Sequence, residues 1–337
     1  MQLISDFSLK QYNTFGIDAK AREFVAIHSL EELKAVLEEH RLENKFILGG
    51  GSNMLLTRDI DALVIHVDLK GKKILDQEGD HVLVECQAGE NWHEFVLYTI
   101  SQNFGGLENM SLIPGNVGTT PIQNIGAYGA EIKDTFVSCD AMNIETQQMR
   151  TFTKEECEFG YRESIFKNAE KDKYVITSVV FRLTKTNHKI NTGYGDILKN
   201  LESRSIQVPT IKDVSDAVIA IRRSKLPDPQ ELGNSGSFFK NPIVSKDVYQ
   251  IASIRYPEMP HYVVSDNEIK VPAGWLIEQA GFKGKRIGDA GVHKNQALVL
   301  VNYGNATGSD ILNLARMIQD SVLEKFGIEI EAEVNVI

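Results

Sequence analysis

The feature that most constrains how this chain can fold is an irregular stretch at residues 105–129, which holds six glycines, two prolines and a single charged residue, Glu108. It shows neither the period of a helix nor that of a strand, so we predict a long loop. Loops of this length are usually functional or disordered, and the scarcity of charge argues against disorder. We therefore expect a functional loop here.

A second glycine-rich segment, Gly-Gly-Gly-Ser-Asn at residues 49–53, follows a predicted buried strand at 45–48. It is not a Rossmann fingerprint, because Met54 stands where the third glycine would be. Alone, the segment fits a plain tight turn as well as a phosphate loop. Together with residues 113–129 it favours a dinucleotide phosphate held by backbone N–H groups rather than by lysines.

Helices and strands are mixed along the rest of the chain without a βαβ rhythm, so the predicted fold class is α+β. A capping box at residues 29–32 predicts a helix that buries Leu30, Leu33, Val36 and Leu37. The other predicted helices lie at 92–102, 213–223, 273–280 and 309–326, and the other predicted strands at 62–67, 82–87, 174–183, 297–302 and 328–337. The prolines at 227 and 229 predict a domain boundary.

The composition limits the class of partner. The formal charge of −10 argues against nucleic acid and anionic membranes. Three distant cysteines and an N-terminus without a signal-peptide pattern predict a cytoplasmic protein, and no apolar run is long enough to cross a membrane. We expect a monomer that binds small molecules.

Three candidate catalytic residues have simpler explanations when each is taken alone. Ser237, in a glycine-flanked turn, could donate a proton, but serines in such turns usually cap the backbone. Arg162 could be a surface cation, and Glu333 could belong to the solvated face of an acidic strand. The sequence has no GxSxG elbow and no histidine pair with metal-ligand spacing, so neither a serine hydrolase nor a metal site is expected.

In combination, these segments resemble the UDP-N-acetylenolpyruvoylglucosamine reductase (MurB) family. The resemblance rests on eight motifs in a fixed order: residues 13–16, 49–53, 113–129, 159–162, 225–229, 236–242, 273–277 and 331–334. Gly193-Tyr-Gly195 and the insert before Lys225 resemble the larger, type I form, in which a tyrosine-bearing loop closes over substrate. Ala332 departs from the family pattern, where proline is common.

The resemblance implies a PCMH-type (vanillyl-alcohol-oxidase superfamily) FAD-binding domain of two lobes at residues 17–188. This domain would be followed by a type I loop and linker helix at 189–226 and by a C-terminal α+β substrate domain at 227–327. The last strand, at 328–337, would carry the catalytic glutamate. FAD would be bound non-covalently. The implied cofactor-binding residues are Gly49, Gly50, Gly51, Ser52, Asn53, Pro114, Gly115, Gly118, Thr119, Thr120, Gln123, Asn124, Gly126, Ala127, Tyr128 and Arg222.

The implied reaction is the NADPH-dependent reduction of an enolpyruvyl sugar nucleotide in peptidoglycan synthesis, and it serves cell-wall biogenesis, cell shape and division. By resemblance, Arg162 polarises the substrate carboxylate, Glu333 assists, and Ser237 protonates the carbon α to the carboxylate. The implied substrate-binding residues are Tyr161, Tyr194, Lys225, Asn241 and Gln296. Lys240 receives no role.

Two alternatives compete with this interpretation. One is another flavin oxidase or dehydrogenase of the same superfamily that acts on a sugar or alcohol. It is disfavoured by the motifs at 236–242 and 331–334, and NADPH-dependent reduction of the flavin would discriminate. The other is a catalytically silent flavin-binding module, which would need none of Arg162, Ser237 and Glu333.

Overall fold

The computed structural model describes residues 2–337, and its mixed helices and strands confirm the α+β class. The strands are β1 (Ile4–Ser8), β2 (Lys20–Ile27), β3 (Lys45–Leu48), β4 (Met54–Leu55), β5 (Ile60–Val67), β6 (Lys72–Glu78), β7 (His81–Gln87), β8 (Gly126–Ala127), β9 (Ala130–Glu131), β10 (Phe136–Asn143), β11 (Met149–Thr153), β12 (Tyr174–Thr184), β13 (Gly233–Ser237), β14 (Ile243–Ser245), β15 (Tyr262–Val263), β16 (Glu268–Lys270), β17 (Arg286–Ile287), β18 (Ala290–Val292), β19 (Val299–Asn302) and β20 (Asn335–Val336). The helices are α1 (Leu30–Glu39), α2 (Trp92–Ser101), α3 (Ile197–Ser203), α4 (Ile211–Lys225), α5 (Lys246–Arg255), α6 (Ala273–Gln279) and α7 (Gly308–Phe326). No helix within the described residues is long and apolar enough to cross a bilayer.

The chain divides into two compact units. Unit 1 contains residues 1–7, 21–50 and 60–224, and unit 2 contains residues 8–20, 51–59 and 225–337. The segment 49–53 thus contributes Gly49 and Gly50 to unit 1 and its last three residues to unit 2. The finer domain boundaries given by the resemblance stay predictions.

In unit 1, a four-stranded sheet of order β1-β2-β5-β3 packs against α1. Helix α1 begins as predicted, because the Ser29 hydroxyl accepts the Glu32 N–H at 3.1 Å. The helix buries Leu33, Val36 and Leu37 against β2 and β5. Leu30 was expected to be inward, but its side chain lies at the first turn and is 38% exposed.

A second, five-stranded sheet of unit 1 has the order β11-β10-β12-β7-β6 and is antiparallel throughout. Helix α2 buries Trp92 and Phe95 against it, where both rings lie within about 6 Å of the Phe181 ring on β12. Helices α3 and α4 form a separate small core, in which the predicted inward residues of α4, Val214, Ala217, Val218 and Ile221, are buried.

Unit 2 contains the sheets β13-β19-β18-β17 and β14-β16-β15 and the pair β20-β4. Helix α7 begins at the Thr307 cap and ends, as predicted, at Gly327, which has a φ of 65°. Gly308 is required at its first turn, because a Cβ there would overlap the Leu56 carbonyl.

The predicted C-terminal strand at 328–337 is only partly correct. Ile328, Ile330 and Val334 are buried and the acidic residues between them are not, so the alternation is real. Regular strand is confined to β20, which pairs in parallel with β4. Before it, Ala332 forms only an isolated bridge with Phe239, and Val336 is exposed.

Candidate active site

The two glycine-rich segments touch within unit 1. A Cβ on Gly50 would lie 2.8 Å from the Gly115 Cα and 3.0 Å from the Asn116 nitrogen, and one on Gly49 would overlap the Thr119 methyl group. Glycine is therefore needed because one backbone approaches the other. The structure brings together the two loops that the sequence singled out.

The loop at 113–129 has fewer free N–H groups than we expected. The N–H groups of Val117 and Gly118 donate to the carbonyls of Glu90 and Ala88, both at 2.9 Å, and so fix the loop to the β7–α2 connection. Those of Thr119 and Thr120 close a 3₁₀ turn inside the loop. At these positions the backbone holds the loop itself, and any ligand contact must come from other donors.

Arg162 holds the far end of this loop. It has a positive φ of 58°, and its Nη2 donates to the Gly126 carbonyl at 2.8 Å. The fully buried Asn124 links the same segments, because its amide donates to the Glu131 carboxylate at 3.0 Å and to the Gly160 carbonyl at 2.8 Å. Asn124 was predicted to bind the cofactor, but in the structure its amide holds the loop to neighbouring segments.

Arg222 lies at the start of the same loop, on α4. Its Nε donates to the Leu112 carbonyl at 3.2 Å, and within residues 2–337 no carboxylate forms an ion pair with it. Burial lowers the pKa of its guanidinium, and the charge of Arg162 lowers it further. Arg162 and Arg222 thus place two positive charges beside a loop that has little negative charge. Guanidinium groups in such a setting fit an anionic group such as the diphosphate of FAD.

Two further side chains of this region were missed. His93 accepts the Leu112 N–H at 2.9 Å, and burial lowers its pKa, which favours the neutral, accepting form. Asn109 is buried and donates to the carbonyls of Tyr128 and Asn191, at 3.0 and 2.9 Å. No sequence pattern marked either residue.

Asn109 in this way joins the glycine-rich loop to the segment that carries Tyr194. The Tyr194 ring packs edge-on against Tyr128, with 6.3 Å between the centroids, and Tyr194 is 56% exposed. Its ring is thus held by protein, while much of the side chain faces solvent.

In unit 2, two neighbouring serines have opposite environments. Ser235 is buried, and its hydroxyl lies 3.3 Å from the Met54 carbonyl and 3.4 Å from the Thr14 hydroxyl. Ser237 is only half-buried, and its hydroxyl makes no hydrogen bond to any residue from 2 to 337. Gly236, with a φ of 69°, sits in the irregular part of β13 that separates them. The hydroxyl of Ser237 is the available one.

The segment after Ser237 is paired with the segment around Glu333. The Glu333 N–H donates to the Phe238 carbonyl at 2.8 Å, and the Lys240 N–H donates to the Glu331 carbonyl at 2.9 Å. The amide of Asn53 donates to the Glu333 carbonyl at 3.2 Å. Lys240, which had no predicted role, lies 3.3 Å from the Glu331 carboxylate. Ser237 and Glu333 are thus fixed to one short ladder, whereas Arg162 belongs to unit 1.

Two of the predicted substrate residues of unit 2 make hydrogen bonds within that unit. Asn241 accepts the Ala273 N–H at 2.9 Å and so caps α6, and the Gln296 carboxamide accepts the Leu298 N–H at 3.4 Å. His293 is buried and hydrogen-bonds to the Lys225 backbone. Burial lowers the pKa of His293, so the neutral form is favoured. No sequence pattern marked this contact with a predicted substrate residue.

One group with metal-ligand geometry lies elsewhere, in unit 1. The ligand atoms of Glu23, His40 and Glu43 lie within 4.8 Å of one another. The Glu43 carboxylate already accepts from His40 at 2.6 Å and from Arg22 at 3.0 Å. These contacts lower the pKa of Glu43, with the His40 hydrogen bond as the largest cause. Among the described residues, this group is a hydrogen-bonded cluster around the Arg22–Glu43 ion pair.

Comparisons with known proteins assign a family to each half of the chain. Residues 21–151 match the FAD-binding domain family, and residues 228–337 match the UDP-N-acetylenolpyruvoylglucosamine reductase C-terminal domain family. A UDP-N-acetylenolpyruvoylglucosamine reductase of Flavobacterium johnsoniae is 71% identical over 100% of both chains. One of Pseudomonas putida is 49% identical over 97% of each.

A solved structure shows the same fold. The crystal structure of UDP-N-acetylenolpyruvylglucosamine reductase (MurB) from Thermus caldophilus superposes with a TM-score of 0.69 at 23% identity, over 99% of this chain and 98% of that one. The motif-based resemblance is confirmed by these matches. This chain belongs to the UDP-N-acetylenolpyruvoylglucosamine reductase family and is an FAD-dependent oxidoreductase.

Proposed function

We propose that this protein reduces UDP-N-acetyl-3-O-(1-carboxyvinyl)-glucosamine to UDP-N-acetylmuramate with NADPH, as a step of peptidoglycan synthesis. The relatives that match over the full chain are named for the reduction of this enolpyruvyl sugar nucleotide. The observation that carries the proposal is the contrast between the available hydroxyl of Ser237 and the bonded hydroxyl of Ser235. A proton donor is what the reduction of an enol ether requires after hydride transfer.

The chemistry sets the demands on the protein. The loops of unit 1 would hold FAD, and the flavin would supply the chemistry for moving a hydride from NADPH to the methylene carbon of the substrate. The new C–H bond forms there, and the electron pair of the carbon–carbon double bond moves towards the carboxylate, which becomes a dianionic enolate. Preorganised cations and donors lower the energy of such a charge.

Each catalytic residue meets one of these demands. Arg162, matched by motif position, supplies positive charge to the carboxylate, and its fixed bond to the Gly126 carbonyl holds the guanidinium in place. Glu333, whose backbone is paired with Phe238, assists at the same carboxylate. Ser237 then gives its hydroxyl proton to the carbon α to the carboxylate, which completes the product.

We propose that the glycine-rich segments at 49–53 and 113–129 hold the cofactor. We propose that Arg222 faces the flavin diphosphate, because it is a cation with only a carbonyl partner among the described residues. Tyr161, Tyr194, Lys225, Asn241 and Gln296 are the proposed substrate-binding residues.

The first test is spectroscopic and anaerobic. NADPH should bleach the visible flavin absorption, and the enolpyruvyl sugar nucleotide should restore it. A flavin oxidase of the same superfamily would instead be bleached by a sugar or alcohol and restored by oxygen. If NADPH did not bleach the flavin, the proposed reaction would be rejected, but the assignment of the chain to the family would stand.

We expect the purified protein to be yellow and to release all of its FAD on denaturation. Residues 49–53 and 113–129 contain no histidine or cysteine to form a covalent link, and Cys86, Cys139 and Cys157 are buried. The measurement is the absorbance of the supernatant after acid precipitation. Colour that stays with the pellet would mean that the flavin is attached covalently.

Tyr194→Phe should weaken substrate binding and leave flavin reduction by NADPH unchanged. The ring would still pack on Tyr128, so the variant removes only the hydroxyl. Loss of one hydrogen bond of about 0.5–1.5 kcal/mol corresponds to a rise in the substrate KM of roughly 2–10-fold. Steady-state kinetics measures it, and an unchanged KM would remove Tyr194 from the substrate site.

A further inference from the structure

Helix α5 of unit 2 leaves an apolar face in solvent. Ile251 is 71% exposed, Ile254 82% and Val248 36%, and among the ten described residues of this helix only Ala252 is buried. The three exposed residues are three positions apart, so they form one stripe along the helix. A contiguous apolar stripe of this kind on a protein surface is a mark of an interaction site.

Two residues of opposite charge flank this apolar stripe. Asp247 lies in the first turn of α5 and Arg255 in the last turn. Within residues 2–337 neither side chain forms an ion pair, and the nearest aromatic contact of Arg255 is the ring of Tyr256 at 5.6 Å. Both charges are on the same side of the helix as Ile251, because their spacing from it is one helical turn.

We propose that α5 is the interface of a homodimer, in which it packs antiparallel against α5 of a second copy about a two-fold axis at Ile251. Asp247 precedes Ile251 by the same number of residues as Arg255 follows it, so each Asp247 would face the partner's Arg255. In the same register each Val248 would face the partner's Ile254. Every exposed apolar or charged group of the stripe then has a complementary partner.

The charge pattern selects this arrangement over the parallel one. In a parallel pair Asp247 would face Asp247 and Arg255 would face Arg255, with like charges opposed. Antiparallel packing instead places each Asp247 opposite an Arg255. It also aligns the two helix dipoles in opposite directions, which is the favourable arrangement. Self-complementarity of one patch is the property of an isologous, two-fold interface. This differs from the monomer expected from the sequence.

A single pair of short helices buries little area, so the dimer should be weak. Interfaces below about 1,200 Å² are typical of transient complexes. We therefore expect a dissociation constant on the order of 10–100 µM. The test is sedimentation velocity of the full-length, flavin-loaded protein over a range of about 5–500 µM, which spans the transition.

Ile251→Arg should weaken the dimer at least about tenfold, because it places two arginines against each other at the axis. Val208→Arg is the matched control, since Val208 is 88% exposed and lies in unit 1 outside the proposed interface. Both variants should keep wild-type flavin content and activity. Equal effects of the two substitutions would overturn the proposal.

Charge exchange tests the register itself. Asp247→Arg and Arg255→Asp should each weaken the dimer by about threefold to tenfold, and the double variant should recover most of the wild-type affinity. A double variant no better than the single ones would refute the antiparallel register. A wild-type protein that stays monomeric up to about 500 µM would refute the interface, without bearing on the proposed reaction.

Discussion

Ser237→Ala should lower the rate at which the enolpyruvyl sugar nucleotide reoxidises the flavin by roughly 10²–10⁴-fold, the usual contribution of a positioned general acid. FAD content and flavin reduction by NADPH should stay near the wild-type values, because the proton is needed only after hydride reaches the substrate. The Ser237 hydroxyl bonds to no residue between 2 and 337, so its removal breaks no described contact. Stopped-flow absorbance resolves the two half-reactions.

Ser235→Ala is the matched control, two residues earlier on the same strand. Its hydroxyl lies near the Met54 carbonyl and the Thr14 hydroxyl, so its loss should cost about 0.5–1.5 kcal/mol of stability and little activity. Equal losses in both half-reactions of Ser237→Ala would assign that residue to loop structure. A normal second half-reaction would remove Ser237 from the mechanism.

Much of the fold and of the candidate site could be predicted because its signals are local. The Ser29 cap, the inward positions of α4 and the end of α7 at Gly327 are decided within one or two turns of chain. The glycine-rich composition of residues 49–53 and 113–129 is also a local signal, whereas the contact between the two segments is not. A short sequence pattern can identify such features because the residues that form them are neighbours in the chain.

The parts that the sequence did not predict depend on contacts between distant residues. The Leu112 backbone is held between His93 and Arg222, and Asn109 reaches the carbonyl of Asn191. Nothing in the local sequence of these donors and acceptors marks the contacts. The C-terminal segment shows the same limit: its alternation was clear, but pairing with residues 238–240 and with β4 decided how little of it is regular strand.

Gly126→Val should lower FAD affinity by about 5–150-fold, the equivalent of the roughly 1–3 kcal/mol that overpacking costs. A Cβ at this position would lie 2.7 Å from the Ala130 carbonyl oxygen, 2.9 Å from the Glu131 Cγ and 3.3 Å from the Arg162 Nη1. The β8–β9 hairpin would have to open, and the Gly126 carbonyl would lose its bond from Arg162.

The measurement for Gly126→Val is flavin retained per protein after gel filtration, followed by titration with free FAD. Gly193→Val is the control, since its added Cβ would meet only the Asn191 Oδ1, at 4.0 Å, and its backbone is not left-handed. A thermal melt separates local from global damage, because a variant that is merely unfolded would lose its transition as well as its flavin.

The hairpin has no part in holding the cofactor if Gly126→Val binds FAD as tightly as Gly193→Val does. The side chain added at residue 126 would contact both the hairpin and the Arg162 guanidinium. If the variant keeps its flavin but loses reoxidation by the substrate, Gly126 is needed to position Arg162 and not to bind the cofactor.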